Sequence, residues 1–506
     1  MRNGAPAEDC RSVAAILYEL ILGEPMNLKE KFLVMYRSDK VYAAEWIVAI
    51  VTGLFVFATS CTWDLQSLTI WSTNVWDSIA DGQFRSFYAL TAQNLHHAHH
   101  AHMGSELMSV LPWSVWNLPI WIVQRFFGKE ILESPFMLAY SKLFLVFCSV
   151  VMLRYTKKIA FLLTGDKTKS TWAMFLTASS TYLYLSVCYS GQNDIMMMTA
   201  SVLAVYCLLR DKRRGFMLWS ILAIAIKPFF LLAFLAVLVL TEKNFLRLIG
   251  KAILACSGML VQKLLFMGAP GYAESMNSGP AKEMLEEMFP TNLETSFGKI
   301  SFFAIALVLI YIYGYTRDFS RDAYKKPQSL AGKYAVYMIA ATYTSYLMFS
   351  PFSFYRLAIL TPYLYLVLVQ NKKMRLYNAL LDTAMQFSLL MRMVLRGSKM
   401  FRVDFVNRSL AQPFFGYTVK FNDENSYANI DNYIYSNVQL LDKYQPMFAG
   451  VAVVCAILLL AFNHPEKQPK LPLSGDKPAR VLVWARMLLI LPFVLLSLYL
   501  YAKTAH

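Results

Sequence analysis

The sequence predicts an all-α polytopic integral membrane protein with about thirteen transmembrane helices, and three observations predict it. The first is composition: of 506 residues, 57% are hydrophobic and 16% charged, where a soluble domain is usually about half apolar and about a quarter charged. The second is recurrence. Apolar stretches near the roughly 20 residues that one crossing needs return along the whole chain. The third is charge placement, because short Lys/Arg runs alternate with longer polar stretches, as loops on the two sides of a bilayer do.

The net charge of +16 does not point to nucleic acid, since the basic residues sit in short runs between apolar segments and do not form one face. Seven cysteines are scattered with no CxxC pair, which implies neither a disulfide frame nor a zinc site. Residues 1–40 are mixed polar, with an apolar patch from Val13 to Leu22 that reads as an interfacial helix and not as a cleavable signal. This segment is expected on the cytoplasmic side.

Spans are expected near 41–61, 138–153, 171–189, 194–210, 215–228, 229–241, 246–266, 298–316, 331–350, 355–370, 376–395, 447–463 and 481–501. Basic runs mark alternate connections, among them Lys157 and Lys158, Lys212 to Arg214, Arg317 to Lys326, Lys372 to Arg375 and Lys467 to Arg480. The positive-inside rule places these in the cytoplasm. Connections 62–137, 190–194, 267–297, 350–356 and 396–446 then fall outside. Parity makes 106–126, with two prolines and three tryptophans, a re-entrant or interfacial helix and not a crossing. The pieces 215–228 and 229–241 meet at Lys227-Pro228, where proline disfavours helical geometry in the residue before it and breaks or kinks the chain. Three regions result: 1–40; a core over 41–370 with the first outer loop at 62–137; and C-terminal helices over 371–506 with the outer loop 396–446.

The outer side carries the candidate chemistry. Asp64 lies just after the first span, and Asp77 and Asp81 follow one helical turn apart. Carboxylates at a membrane boundary act as general bases toward a hydroxyl, or simply solvate a helix end. Gln192, Asn193 and Asp194 follow Gly191 in a tight turn that suits hydrogen bonds to a sugar, or a cap on the next helix. Lys227 sits in an apolar stretch, where an ionised group costs at least about 2.5–3.5 kcal/mol and calls for a partner or a task. Holding a lipid phosphate and snorkelling to the interface are both open. Arg356, at the start of an outer-to-inner span, suits a bidentate grip on phosphate or an interfacial anchor. Five of seven histidines lie within LHHAHHAHMG, and His96 and His100 have the i,i+4 spacing that metals use. No acid is interleaved, so the tract reads rather as a loop that meets water, headgroups or acceptor, and no metal or cofactor is expected.

The stretch GQNDIMMMTASVLAVYCLLRDKRRGFMLWSILAIAIKP from Gly191 to Pro228 resembles the GQ-N … R-x-x-R … K-P pattern of the GT-C superfamily of membrane glycosyltransferases. It is most similar to the family-87 α-mannosyltransferases that use polyprenyl-phosphate mannose, and to their bacterial relatives. The resemblance covers roughly 40–370 in layout and implies a GT-C-like fold, with outer loops over a membrane-embedded cleft. It also implies transfer of mannose or another hexose from a polyprenyl-phosphate carrier to a lipid or cell-envelope glycan acceptor. The reaction would run at the outer face of a bacterial plasma membrane, with inversion. On this pattern Asp64, with Asp77 in reserve, is the base; Lys227 and Arg356 hold the phosphate; Gln192, Asn193 and Asp194 line the sugar pocket. The chain departs from the pattern at the histidine tract, at LPWSVWNLP and at SFYR, which stands where relatives carry an HERY-like motif. Two rivals remain: a lipid-linked sugar flippase or transporter, for which two matching halves are expected but not found, and an envelope polysaccharide polymerase or ligase using loop 396–446.

Overall fold

A computed structural model describes residues 40–93, 103–131, 134–278, 292–296, 298–319, 326, 328–349, 354–371, 375–395, 401–418, 444–466 and 477–504. Helix α1 (Ala43–Thr59) ends where Thr59 and Ser60 turn their hydroxyls back onto Phe55 O (2.8 Å) and Val56 O (2.7 Å). Those bonds occupy carbonyls the helix leaves open at its end. Thr62 then caps α2 (Trp63–Ala80) by accepting from the Leu65 amide, and the two helix axes differ by 76°. The first outer loop of the sequence reading therefore opens with an 18-residue helix.

Helix α3 (Pro135–Thr164) runs for 30 residues between an N-cap at Ser134 and a left-handed Gly165 with φ 66°. It continues past the expected end of its span to the Gly165 cap, and in this continuation Lys158 lies over the Tyr155 ring, 4.4 Å from its centroid. Next come α4 (Lys167–Ala178), a π-helical turn at Tyr184–Tyr189, α5 (Asp194–Leu209), α6 (Arg213–Ile226), α7 (Phe229–Thr241) and α8 (Phe245–Phe266). An antiparallel hairpin (Asn292–Thr295 with Gly298–Ser301) precedes α9 (Phe302–Tyr315) and α10 (Leu330–Phe349). The chain ends with α11 (Thr361–Leu368), α12 (Arg375–Leu395), α13 (Gln445–Phe462), α14 (Lys477–Leu488) and α15 (Leu491–Thr504). Helix α5 is the buried centre, packed on α3 and α6; α7 packs on α9 and α10, and α12 on α13 and α14.

The helices fall where the apolar stretches lie, but the number able to cross differs from the expected thirteen. Among the described residues, four are long and apolar enough to span a membrane: Pro135–Thr164, Phe245–Phe266, Gln445–Phe462 and Ala479–Lys503. The bent α1–α2 pair makes a fifth if it is one span. Several expected spans are shorter apolar helices, such as Asp194–Leu209 and Phe229–Thr241. At 1.5 Å per residue these reach only about 20–24 Å against the roughly 30 Å of bilayer core. The predicted break at Lys227-Pro228 is present: Lys227 is extended (φ −151°, ψ 133°) between α6 and α7. Segment 106–126 forms a 3-10 turn and two short helices, Leu111–Trp116 and Leu118–Phe127, each started by a proline in its first turn.

Candidate functional site

The break between α1 and α2 creates the site, because it lays the first turn of α2 against the Gly191 turn. Thr62 Oγ1 donates to Ser190 O (2.5 Å), fixing that turn to the cap of α2. Gly191 has φ 66°, and a Cβ there would meet Leu65 Cδ1 at 2.9 Å. Only glycine takes that backbone conformation at such a close approach without strain. The turn so held points Gln192 at Asp64: its Nε2 donates to Asp64 Oδ2, orienting the carboxylate. Gln192 is itself held through its amide, which donates to Ser186 O (2.9 Å).

Asp194 begins α5 and is completely buried. Lys227, left extended by the proline after it, brings Nζ to 2.6 Å from Asp194 Oδ1. Apart from Lys227, the Asp194 side chain has no hydrogen-bond partner among the described residues. Lys227 keeps 15% of its side chain exposed, so the pair is reachable from the Lys227 side while Asp194 stays buried. Both Asp64 and Arg356 act electrostatically on Lys227. Arg356 is buried, bonds Tyr346 and faces the Phe229 ring, with its guanidinium carbon 5.3 Å from the centroid. Four separated segments thus place Asp64, Gln192, Asp194, Lys227 and Arg356 around one region.

The remaining sequence candidates lie apart from it. Asn193 turns away, donating from Nδ2 to Ser109 O (3.1 Å), and so ties the glycine turn to the segment before Leu111–Trp116. Asp77 sits about 20 Å along α2 from Asp64 at 1.5 Å per residue, where Oδ1 accepts from Trp121 Nε1 (2.8 Å). Asp81 pairs with Arg125 at 3.0 Å in an exposed position. His96 and His100 lie outside the described residues. Among the described residues no three His, Cys, Asp or Glu side chains are grouped as metal ligands.

Two features carry charge to the α1–α2 bend without having been singled out as site residues. From the segment expected to form the C-terminal outer loop, Arg402 stacks over Trp63 with its guanidinium carbon 4.0 Å from the ring centroid, and pairs with Asp404 at 2.9 Å. The Cys61 amide donates to Phe405 O (2.7 Å), which fastens this segment to the α1–α2 bend. The second is Lys142, on α3 and 1% exposed, which donates to Ser60 O (2.9 Å) and Phe57 O (3.1 Å). Its signal in the sequence is the one that singles out Lys227, an ionisable side chain inside an apolar run.

What the arrangement can do follows from its parts. A carboxylate with one oxygen held by an amide can accept a proton through the other. A cation that pairs with one carboxylate among the described residues, beside a buried guanidinium, favours a second anion. No protein-family model, curated protein or solved structure matches this chain.

Proposed function

We propose that the chain is a membrane glycosyltransferase that takes a hexose from a polyprenyl-phosphate carrier. The observation that carries the reading is the approach of Asp64, held by Gln192, to the Lys227–Asp194 pair and Arg356 at a broken-helix junction. Its other support is the GQ-N … R-x-x-R … K-P resemblance.

On this reading Asp64 removes the proton from an acceptor hydroxyl. The hydroxyl oxygen attacks the anomeric carbon as the bond from that carbon to the phosphate oxygen breaks, and the configuration inverts. The electron pair leaves with polyprenyl phosphate, whose new charge meets Lys227 and Arg356. Preorganised cations in a water-poor site stabilise such developing charge more than water does, typically by about 10²–10³ in rate per interaction. Gln192 keeps the Asp64 carboxylate in one orientation, and Asp194 holds Lys227 in place until the donor arrives. The Asp77 position, about 20 Å along α2, leaves it outside this chemistry.

The test uses purified protein in lipid with radiolabelled polyprenyl-phosphate mannose or glucose and a membrane extract as acceptor. Release of polyprenyl phosphate with formation of an inverted glycosidic bond is the expected result. Movement of intact labelled donor across the bilayer without release would replace the transferase with a flippase.

A further inference from the structure

On the other side of Leu65 from the glycine turn, the end of α1 and the start of α3 leave an open-sided cleft of about 190 Å³, its mouth included. Phe57, Ser60, Cys61, Leu138, Lys142 and Arg408 line it. None of the lining residues is acidic. Lys142 is 1% exposed and directs Nζ only to neutral oxygens: Ser60 O (2.9 Å), Phe57 O (3.1 Å) and Ser60 Oγ (3.4 Å). Arg408 is half-buried and directs Nη1 to the neutral Gln66 Oε1 (2.5 Å). Its backbone is held at φ 62°, and its amide donates to Gln412 Oε1 (2.5 Å). Among the described residues neither cation has a carboxylate within 4.0 Å.

The carbonyls at the end of α1 account for Lys142, since a lysine at a helix C-terminus meets the negative end of its dipole. They do not account for a second cation on the same cleft, held there by a backbone conformation that L-residues rarely adopt. Arg408, which bonds only the neutral Gln66 side chain among the described residues, keeps guanidinium N–H groups to offer an anion at the cleft. Pro135 opens the 30-residue apolar helix α3 at the rim, which sets the cleft at the end of a span, at headgroup depth. The floor has room for no more than about one water, so a phosphate sits at the mouth, where Arg408 lies.

We propose that this cleft binds a phosphate group on Arg408, with the fully bonded Lys142 contributing charge behind it and no donor, the phosphate being carried on a bilayer lipid or free in solution, at a place separate from the Asp64 region. The proposal does not depend on the transferase reading.

The experiment is native mass spectrometry of the full-length protein, titrated with phosphatidylglycerol and with a phosphate-free diacylglycerol glycolipid. A thermal-shift series with inorganic phosphate runs in parallel. A lipid site retains one phosphatidylglycerol but not the glycolipid, and binding weakens about tenfold or more in Arg408→Gln, the scale of one charge-assisted hydrogen bond. A site for free phosphate shows instead as thermal stabilisation by inorganic phosphate that Arg408→Gln loses. Lys142→Met serves as a second variant; Arg408 is half-exposed, so its change leaves the fold intact if Lys142→Met does not. Equal lipid retention and equal phosphate response in wild type and Arg408→Gln would overturn the proposal and leave Lys142 as a helix cap only.

Discussion

Two charged regions lie toward opposite ends of α1, and they are built differently. Toward the Glu45 end, Arg486 is completely buried and gives Nη1 to Asp382 (2.6 Å) and Tyr365 Oη (2.9 Å), and Nη2 to Ser179 Oγ (2.5 Å) and Leu176 O (3.1 Å). Gln386 adds bonds to Asp382 Oδ1 (3.0 Å) and Tyr365 Oη (2.9 Å), so of the Arg486 nitrogens Nε alone has no hydrogen-bond partner among the described residues. Beside it, Arg480 grips both oxygens of Glu45, and Trp484 Nε1 donates to the same carboxylate (2.7 Å). These charges are consumed in tying α1, α4, α11, α12 and α14 together. Toward the Asp64 end, Asp194 has Lys227 as its one side-chain partner among the described residues, and Lys227 keeps part of its surface open. Burial of charge is common to both ends. Spare bonding capacity is what separates a clasp from a site, because a satisfied network has nothing to offer a ligand.

That contrast can be broken most directly at its saturated end. Arg486→Met leaves Asp382 buried without its cation and should cost about 3–5 kcal/mol, read as a lowered melting temperature in detergent. Replacing the pair together, with Arg486→Met and Asp382→Leu, should recover most of it, because no lone charge remains. A double variant as unstable as the single one would mean that the clasp is not an ion-pair lock.

At the open end, Asp194→Asn should cost less, about 1–3 kcal/mol, because the Lys227 left behind reaches solvent; a loss equal to that of Arg486→Met would erase the distinction. Gly191→Ala sharpens the comparison further. A methyl at φ 66° meets Leu65 at 2.9 Å, which should cost about 1–3 kcal/mol and, by shifting Gln192 off Asp64, reduce transfer by more than the stability loss explains. Unchanged activity in that variant would separate the glycine turn from the site.

The smallest effect concerns the loop beside the site. Burial holds the Glu106 carboxyl above its usual range, opposed by the Tyr272 hydroxyl, which lies 3.1 Å from its Oε1, and by Lys263. An acid whose folded pKa is raised binds its proton more readily in the fold than out of it. Stability from this group is therefore absent at neutral pH and gained as pH falls through the folded value, above the ordinary carboxylate range. Hydrogen exchange over 103–109 and 272–278 should slow modestly on that acidification, and Glu106→Gln should flatten the response.

Much of the site was legible in the sequence for one physical reason: polar groups between apolar stretches have few roles open to them. Gln192, Asp194, Lys227 and Arg356 stand out on that ground, and the Lys227-Pro228 break follows from proline's effect on the residue before it. Helix α2 was not legible, because its Ser, Thr, Asn and Asp content imitates a loop. In the fold that polarity is absorbed internally: Thr69, Ser72, Thr73 and Ser78 each donate to a carbonyl three or four residues back, at 2.6–2.8 Å. Against about thirteen expected spans, four or five helices among the described residues are long and apolar enough to cross, because an apolar run shows hydrophobicity but not where a helix stops. The Gly191 and Lys227 breaks cut such runs into helices shorter than a bilayer. Convergence of residues 401–409 on the bend, far away in sequence, left no local trace.

The most direct measurement compares sugar transfer from a labelled polyprenyl-phosphate donor by wild type, Asp64→Asn and Asp77→Asn, with melting temperatures recorded for all three. Asparagine keeps the shape at both positions and removes only the carboxylate. The account predicts transfer lost in Asp64→Asn at unchanged melting temperature, with Asp77→Asn close to wild type. Transfer retained in Asp64→Asn, or lost in Asp77→Asn alone, would contradict it.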